Sequence, residues 1–347
     1  MKKKLTVVLL SVVILTISLP CSEARAAEGI IWQRSDAGIE GGRVWALAID
    51  PQTPSTLYVG TDAGGVFKSV NGGGTWSAVN NGLPATKILS LAIDPETPLT
   101  LYAGTMEGGV FKSVNGGGTW SAVNNGLASN STVHSLAIDP QAPSRLYAGI
   151  WAGDLLYRST DAGESWSVAS TGLRDAFYVH SLAIDPETHL TLYAGTWRGV
   201  FKSVNGGETW SAANNGLKND IYALAVDPQT PSTLYAGTVG GGVFKSVNGG
   251  ETWSAVNNGL TKKDVLTLAI DLQTPSTLYA GTVGGGVFKS VNGGEIWNAV
   301  NTGLTDTQVT MLAIDPQTPS TLYAGTNGGK VFKGQRGHLA FLPLILR

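Results

Sequence analysis

Cysteine is all but missing from this sequence: Cys21 is the only one in 347 residues. A disulfide framework is therefore excluded, and stability has to come from packing. Charge is scarce too, at 14% of residues with a net charge of −2. A nucleic-acid surface needs clustered Lys and Arg to displace counterions, and no such cluster occurs, so nucleic acid is not an expected partner. No stretch holds a 3.6-residue apolar period long enough for a helix. The four histidines, His134, His180, His189 and His338, are scattered along the chain and read as surface or loop residues. No metal-spaced His cluster, Ser-His-Asp word or phosphate loop is present, so no cofactor or metal is expected. What the chain has in excess is glycine, 46 residues without a Gly-X-Y period. That excludes collagen and points to tight turns.

Residues 1–26 read as an export leader. Lys2, Lys3 and Lys4 form its positive end, Leu5–Leu19 is apolar, and Ala24-Arg25-Ala26 sets a cut before Ala27. The apolar run is shorter than the ~20 residues of a membrane span. The alternative is an uncleaved anchor. A lipidated Cys21 is disfavoured by Pro20, which stands where such signals need a small residue. The cleaved chain is expected to be secreted, periplasmic or held at the cell surface, not membrane-spanning, and monomeric.

The remainder is a repeat. A LAID word, or a close variant, ends at Asp50, Asp94, Asp139, Asp185, Asp227, Asp271 and Asp315, giving seven units at steps of 42 to 46 residues. Each unit holds four short apolar runs. In the unit from Val265 they are VLTLAID, TLYAGT, GVFKSV and IWNAV, separated by Gly, Pro, Asn and Asp. Four strands per unit with hairpin punctuation predict the blades of a β-propeller. A parallel β-helix has shorter coils and lacks that punctuation. The expected fold is all-β, a seven-bladed propeller over residues 27–336, followed by an apolar tail, 337–347.

The ends suggest how the ring closes. A turn-plus-Trp word occurs six times, and the last unit stops after its third strand, Val331–Lys333. Trp32 stands 18 residues before Asp50, as Trp76 stands before Asp94. The segment Ile31–Arg34 is therefore expected to be the outer strand of the last blade, a 3+1 closure that removes two sheet edges.

The turn word reads SVNGGGTW, STDAGESW, SVNGGETW or SVNGGEIW. It resembles the Asp-box, or BNR, repeat. The resemblance covers Ile31 to about Gly334. Whole units are similar to photosystem II assembly factor-type proteins, xyloglucanase-type glycoside hydrolases and sortilin ectodomains. It implies that the word is the turn between third and fourth strands, and that its Trp packs between blades. The Asp or Asn side chain then bonds backbone N–H groups of its own turn. The structural pairs are Asn71 with Trp76, Asn115 with Trp120, Asp161 with Trp166, Asn205 with Trp210, Asn248 with Trp253 and Asn292 with Trp297. Asn in place of Asp makes calcium at these turns less favourable. The LAID aspartates read as turn caps, since every unit needs one.

A private function should use residues that the copies do not share. On such a propeller the second-to-third and blade-to-blade loops lie on one face. Unusual side chains there concentrate in units three and four: Trp151, Asp154, Arg174, Phe177, Tyr178, His180, Trp197 and Arg198. They form the candidate ligand site, for a glycan or a protein partner. Drifting repeats would produce ordinary packing changes at the same places. Private carboxylates exist at Asp62, Glu107, Asp154 and Asp175, but spacing alone does not pair them as glycoside hydrolysis requires. The family's sialidases use an arginine triad, and this chain has no word that matches it. Xyloglucanase-type sites lie between two propellers, and this chain has room for one. The expected function is noncatalytic binding or scaffolding. The alternatives are a glycoside hydrolase completed by a second propeller and a cell-surface attachment protein.

Overall fold

Strands form where the apolar words stand, and turns form where Gly, Pro and Asn cluster. The computed structural model describes residues 28–338, apart from 85–86, 152, 154, 174–175 and 218–219. The leader and most of the tail lie outside these residues, as do Asp154 and Arg174. In unit six the strands are Val265–Ile270, Leu278–Thr282, Gly286–Ser290 and Asn298–Ala299. The same pattern gives seven antiparallel four-stranded sheets. All regular structure among the described residues is strand. The first strands of neighbouring sheets stand side by side around one axis, so the molecule is a seven-bladed β-propeller.

One blade is built from both ends of the chain. Its sheet runs from Glu28–Arg34 to Val331–His338, then Thr321–Thr326 and Val309–Ile314. Trp32 lies opposite Gly334. The third strand continues to His338, beyond the expected stop at Lys333. On its other side Trp32 reaches blade six, where its backbone N donates to Thr302 O at 2.8 Å and its Nε1 to Val300 O at 2.6 Å.

The apolar core is divided among the seams between blades. At the seam of blades five and six, Tyr235 and Val243 of one meet Val265, Leu278, Phe288 and Trp297 of the next. Blades approach so closely that the glycine of the LYAGT word is required. A Cβ on Gly237 would fall 2.8 Å from Val265 Cγ1.

The turn word locks six of the seven seams from one face, and Trp32 takes the seventh. In blade five, Gly250 N donates to Ser246 Oγ at 3.0 Å and Thr252 N to Asn248 Oδ1 at 3.0 Å. Trp253 is buried, and its Nε1 donates to Ala213 O of blade four at 2.8 Å. In blade three the acceptor is Asp161, and hydrogen bonds from the Ser165 hydroxyl and backbone hold its carboxyl down to about 2. On the same face Tyr235 Oη and Lys245 Nζ both donate to Gly293 O of the next blade, at 3.2 and 3.0 Å. The LAID aspartates cap their corners: Gln273 N and Thr274 N donate to Asp271 Oδ1 at 2.9 and 3.2 Å.

Candidate functional site

The opposite face is shaped by a defect repeated in every first strand. Pairing with the second strand slips by one residue between Val44 and Ala46, and at the equivalent place in all seven blades. One residue is left as a β-bulge, and such a residue is free to be re-aimed. The seven bulge residues are Trp45, Leu89, His134, His180, Tyr222, Leu266 and Thr310, and all line one axial cavity of about 650 Å³. Deeper in, the seven LAID leucines line it as well, from Leu47 round to Leu312.

This placement corrects the sequence reading of the histidines. His134 and His180 are neither scattered nor loop residues. They occupy the same position in adjacent blades, with ring centroids 6.0 Å apart. Burial lowers both imidazoles to about 4, so both rings are neutral near pH 7. His180 also stacks on Tyr222 at 4.4 Å with the planes 13° apart. His189 is half-buried, with Nδ1 2.9 Å from Gln141 Oε1.

The two-histidine step joins the cavity to the rim. His134 meets Trp151 at 5.1 Å, Trp151 meets Tyr178 edge-on at 5.1 Å, and Tyr178 lies over Trp197 at 5.7 Å. Trp197 then meets Phe177 at 5.5 Å, and the Arg198 guanidinium stands 5.1 Å from the Phe177 ring centre. Seven rings therefore run in unbroken contact from Tyr222 at the axis to Phe177 at the edge. Trp151 is held by its backbone N donating to Thr132 O at 3.0 Å and by a bridge to Tyr178. Phe177 sits in a tight turn at φ 61°, where Tyr178 N donates to Ala176 O at 2.8 Å. A left-handed conformation at an aromatic residue costs on the order of 1 kcal/mol, which surrounding contacts must offset. Trp151, Phe177 and Trp197 are each close to half exposed, at 47–48%.

Of the sequence-based site, Trp151, Phe177, Tyr178, His180, Trp197 and Arg198 thus come together. The structure adds Arg43, Trp45, His134 and Tyr222. The guanidinium carbon of Arg43 lies 3.7 Å from the centre of the Trp45 ring. Trp45 Nε1 donates to Asp62 Oδ1 at 2.5 Å, and Lys87 Nζ pairs with the same oxygen at 3.2 Å. Burial opposes the charge on Arg43 and lowers its pKa, with Asp62 opposing the shift. Among the described residues no group of three or more His, Cys, Asp or Glu stands together as metal ligands would. No helix among them is long and apolar enough to cross a membrane.

No protein-family model matches the sequence, and no curated protein matches it. Among solved structures the chain is similar to the GH74 xyloglucanase from Xanthomonas campestris, with a TM-score of 0.69 and 20% identity over 87% of this chain and 53% of that one. An ancestral GH74 enzyme gives a TM-score of 0.67 and 20% identity over 87% and 46%. The chain therefore spans about half the length of these enzymes. YCF48 from Cyanidioschyzon merolae gives a TM-score of 0.68 and 16% identity over 88% of this chain and 98% of that one. YCF48 bound to D1 peptide is similar at a TM-score of 0.67 and 15% identity, over 87% and 96%. Identities at this level establish the propeller fold, which is shared here by hydrolases and by YCF48.

Proposed function

We propose that this protein is an exported, noncatalytic binding module. It takes an extended segment of a partner protein along the aromatic path from Phe177 to Tyr222. The continuity of that path carries the reading. Trp, Tyr and Arg dominate the energetics of protein interfaces, and here they stand in one line with half-exposed faces at its outer end. A relative in fold, YCF48, has been solved bound to a peptide, which supports a protein segment as the class of ligand. A glycan is the second reading, favoured by the half-exposed indoles of Trp151 and Trp197, whose surfaces suit sugar rings.

Panning a phage library of random dodecapeptides on the protein tests this, with Trp151→Ala/Trp197→Ala as the counter-target. Peptides that bind the native protein at least about tenfold better than the variant are expected, since hot-spot truncation costs ~2 kcal/mol or more. Equal binding to a folded double variant would sink the path as the site. Binding of xyloglucan oligosaccharides without peptide enrichment would favour the second reading. Release of reducing ends from xyloglucan would overturn noncatalytic action.

A further inference from the structure

Five buried side-chain polar atoms lack a hydrogen-bond partner among the described residues, and three of them belong to residues lining the axial cavity: Arg43 Nε, His134 Nε2 and Ser181 Oγ. Buried polar groups are nearly always paired, so such a concentration calls for a cause. Ser181 is the weakest of the three, because its counterparts Ser90 and Ser135 donate to carbonyls of the next blade at 3.3 Å. Arg43 is the strongest. Asp62, the carboxylate that acts on it, already receives Trp45 Nε1 and Lys87 Nζ. Lys87 thus takes the Asp62 carboxylate at 3.2 Å, and among the described residues Arg43 has no ion-pair partner of its own within 4 Å. His134, neutral at pH 7, lines the same cavity.

The rest of the wall has a different chemistry. Leu89 and Leu266 occupy the bulge positions of blades two and six, and the seven LAID leucines form the level beneath. Six of those seven keep part of their surface open, although they sit at the centre of the molecule. The cavity volume lies within the usual range for small-molecule sites.

We infer that the axial cavity binds a small carboxylate with an apolar body, the carboxylate resting on Arg43 and the body on the leucine level. A guanidinium gives a carboxylate charge-assisted hydrogen bonds, and Arg43 lines the cavity with its guanidinium laid on Trp45. The anion gives Arg43 the close counter-charge that Asp62, already bonded to Trp45 and Lys87, does not. An uncharged amphiphile would bury the same apolar surface and leave Arg43 as it stands. A short anion without the body would be held by one exchangeable contact at an open mouth. This site goes beyond the rim path and does not depend on a peptide ligand.

Calorimetric titration at pH 7 with octanoate, 1-octanol and acetate tests the assignment. Octanoate is expected to bind, octanol at least about tenfold more weakly, and acetate without measurable heat; hydrogen bonds to charged groups support a factor of that size. Arg43→Gln should bring octanoate down to the level of octanol and leave octanol unchanged. Leu268→Phe, which fills part of the leucine level, should weaken both. Octanol matching octanoate would overturn the inference, as would an Arg43→Gln variant that keeps native octanoate affinity, or no octanoate binding at all. If Arg43→Gln loses its cooperative melting transition, the octanoate-to-octanol ratio on the native protein still decides. None of these outcomes depends on peptide or glycan binding at the rim.

Discussion

The two faces of the ring are built from the same seven units and treat repetition in opposite ways. On the turn face a position is nearly constant. Ser246, Asn248 and Trp253 have counterparts in five other units, with the same hydrogen bonds at nearly the same distances. On the loop face the bulge position varies freely: Trp45, Leu89, His134, His180, Tyr222, Leu266 and Thr310 occupy one place in the fold. The difference is physical. A turn residue satisfies its own backbone and seals a seam, and each blade needs both. A bulge residue points at the axis, where its partners differ from blade to blade: His180 stacks on Tyr222, and Trp45 bonds Asp62. Stability is therefore stored on one face, and the other is left open to specialisation.

The sharpest way to break this comparison is to truncate one residue of each kind. Trp253→Ala is expected to cost about 3–5 kcal/mol, because it removes a buried indole from the blade seam along with its bond to Ala213 O. Tyr222→Leu places at one bulge the residue that Leu89 and Leu266 supply at two others, and should change stability by less than about 1 kcal/mol. Urea unfolding of both variants measures the contrast. Comparable losses would mean that the two faces share the structural load.

Acid tests the same distinction within the bulge ring. The imidazoles of His134 and His180 fall to about 4 on folding, chiefly through burial, and His134 lowers His180 further. In the unfolded chain both titrate near 6.5. Their contribution is therefore fully present above about pH 6.5 and is lost as pH falls toward 4, where the unfolded state binds the protons. Arg43, Asp220 and Tyr222 stand nearby, and Asp220 is itself raised by burial. A loss on the order of 2–3 kcal/mol between pH 6.5 and 4.5 is expected, discounted for the partial exposure of both rings. His134→Leu/His180→Leu should flatten that part of the pH–stability curve. An unchanged slope in the double variant would show that other groups set the acid limit.

The same contrast explains what could be read in the sequence. The blades were legible because the turn face repeats: Asn248 and Trp253 announce a unit wherever they recur. The rim aromatics Trp151, Phe177, Tyr178 and Trp197 were legible as departures from that rule. The axial ring was not, although its residues stand in plain view five positions before each LAID aspartate. A bulge breaks the alternation that marks inward and outward positions in a strand. His134 and His180 looked scattered because one whole unit separates them, and that separation is what makes them neighbours. Aligning the seven units at the bulge column, rather than searching for unusual loops, would have found Trp45, His134 and Tyr222 together. Arg43 carries no such mark, because its role comes from Trp45 beneath it and from Asp62 across the strand pair.

The smallest expected effect concerns a turn-face position that is not constant. Gln52, Gln141, Gln229, Gln273 and Gln317 each donate Nε2 to a backbone carbonyl of the next blade. Units two and four carry Glu96 and Glu187 instead. A carboxylate cannot donate to a carbonyl, so the seams from blade two to three and from four to five lack this clasp. Glu96→Gln and Glu187→Gln should restore it, each stabilising by about 0.5 kcal/mol at these exposed sites, and Gln273→Ala should destabilise by a similar amount. Differential melting of the three variants measures this. The variable seams border blades three and four, the same blades that carry the rim aromatics. If the two Glu→Gln changes stabilise the ring while weakening peptide binding at the rim, the missing clasps give those blades the freedom to adjust around a ligand. If binding is untouched, the two glutamates are drift on the turn face, and specialisation is confined to the face that carries the bulges.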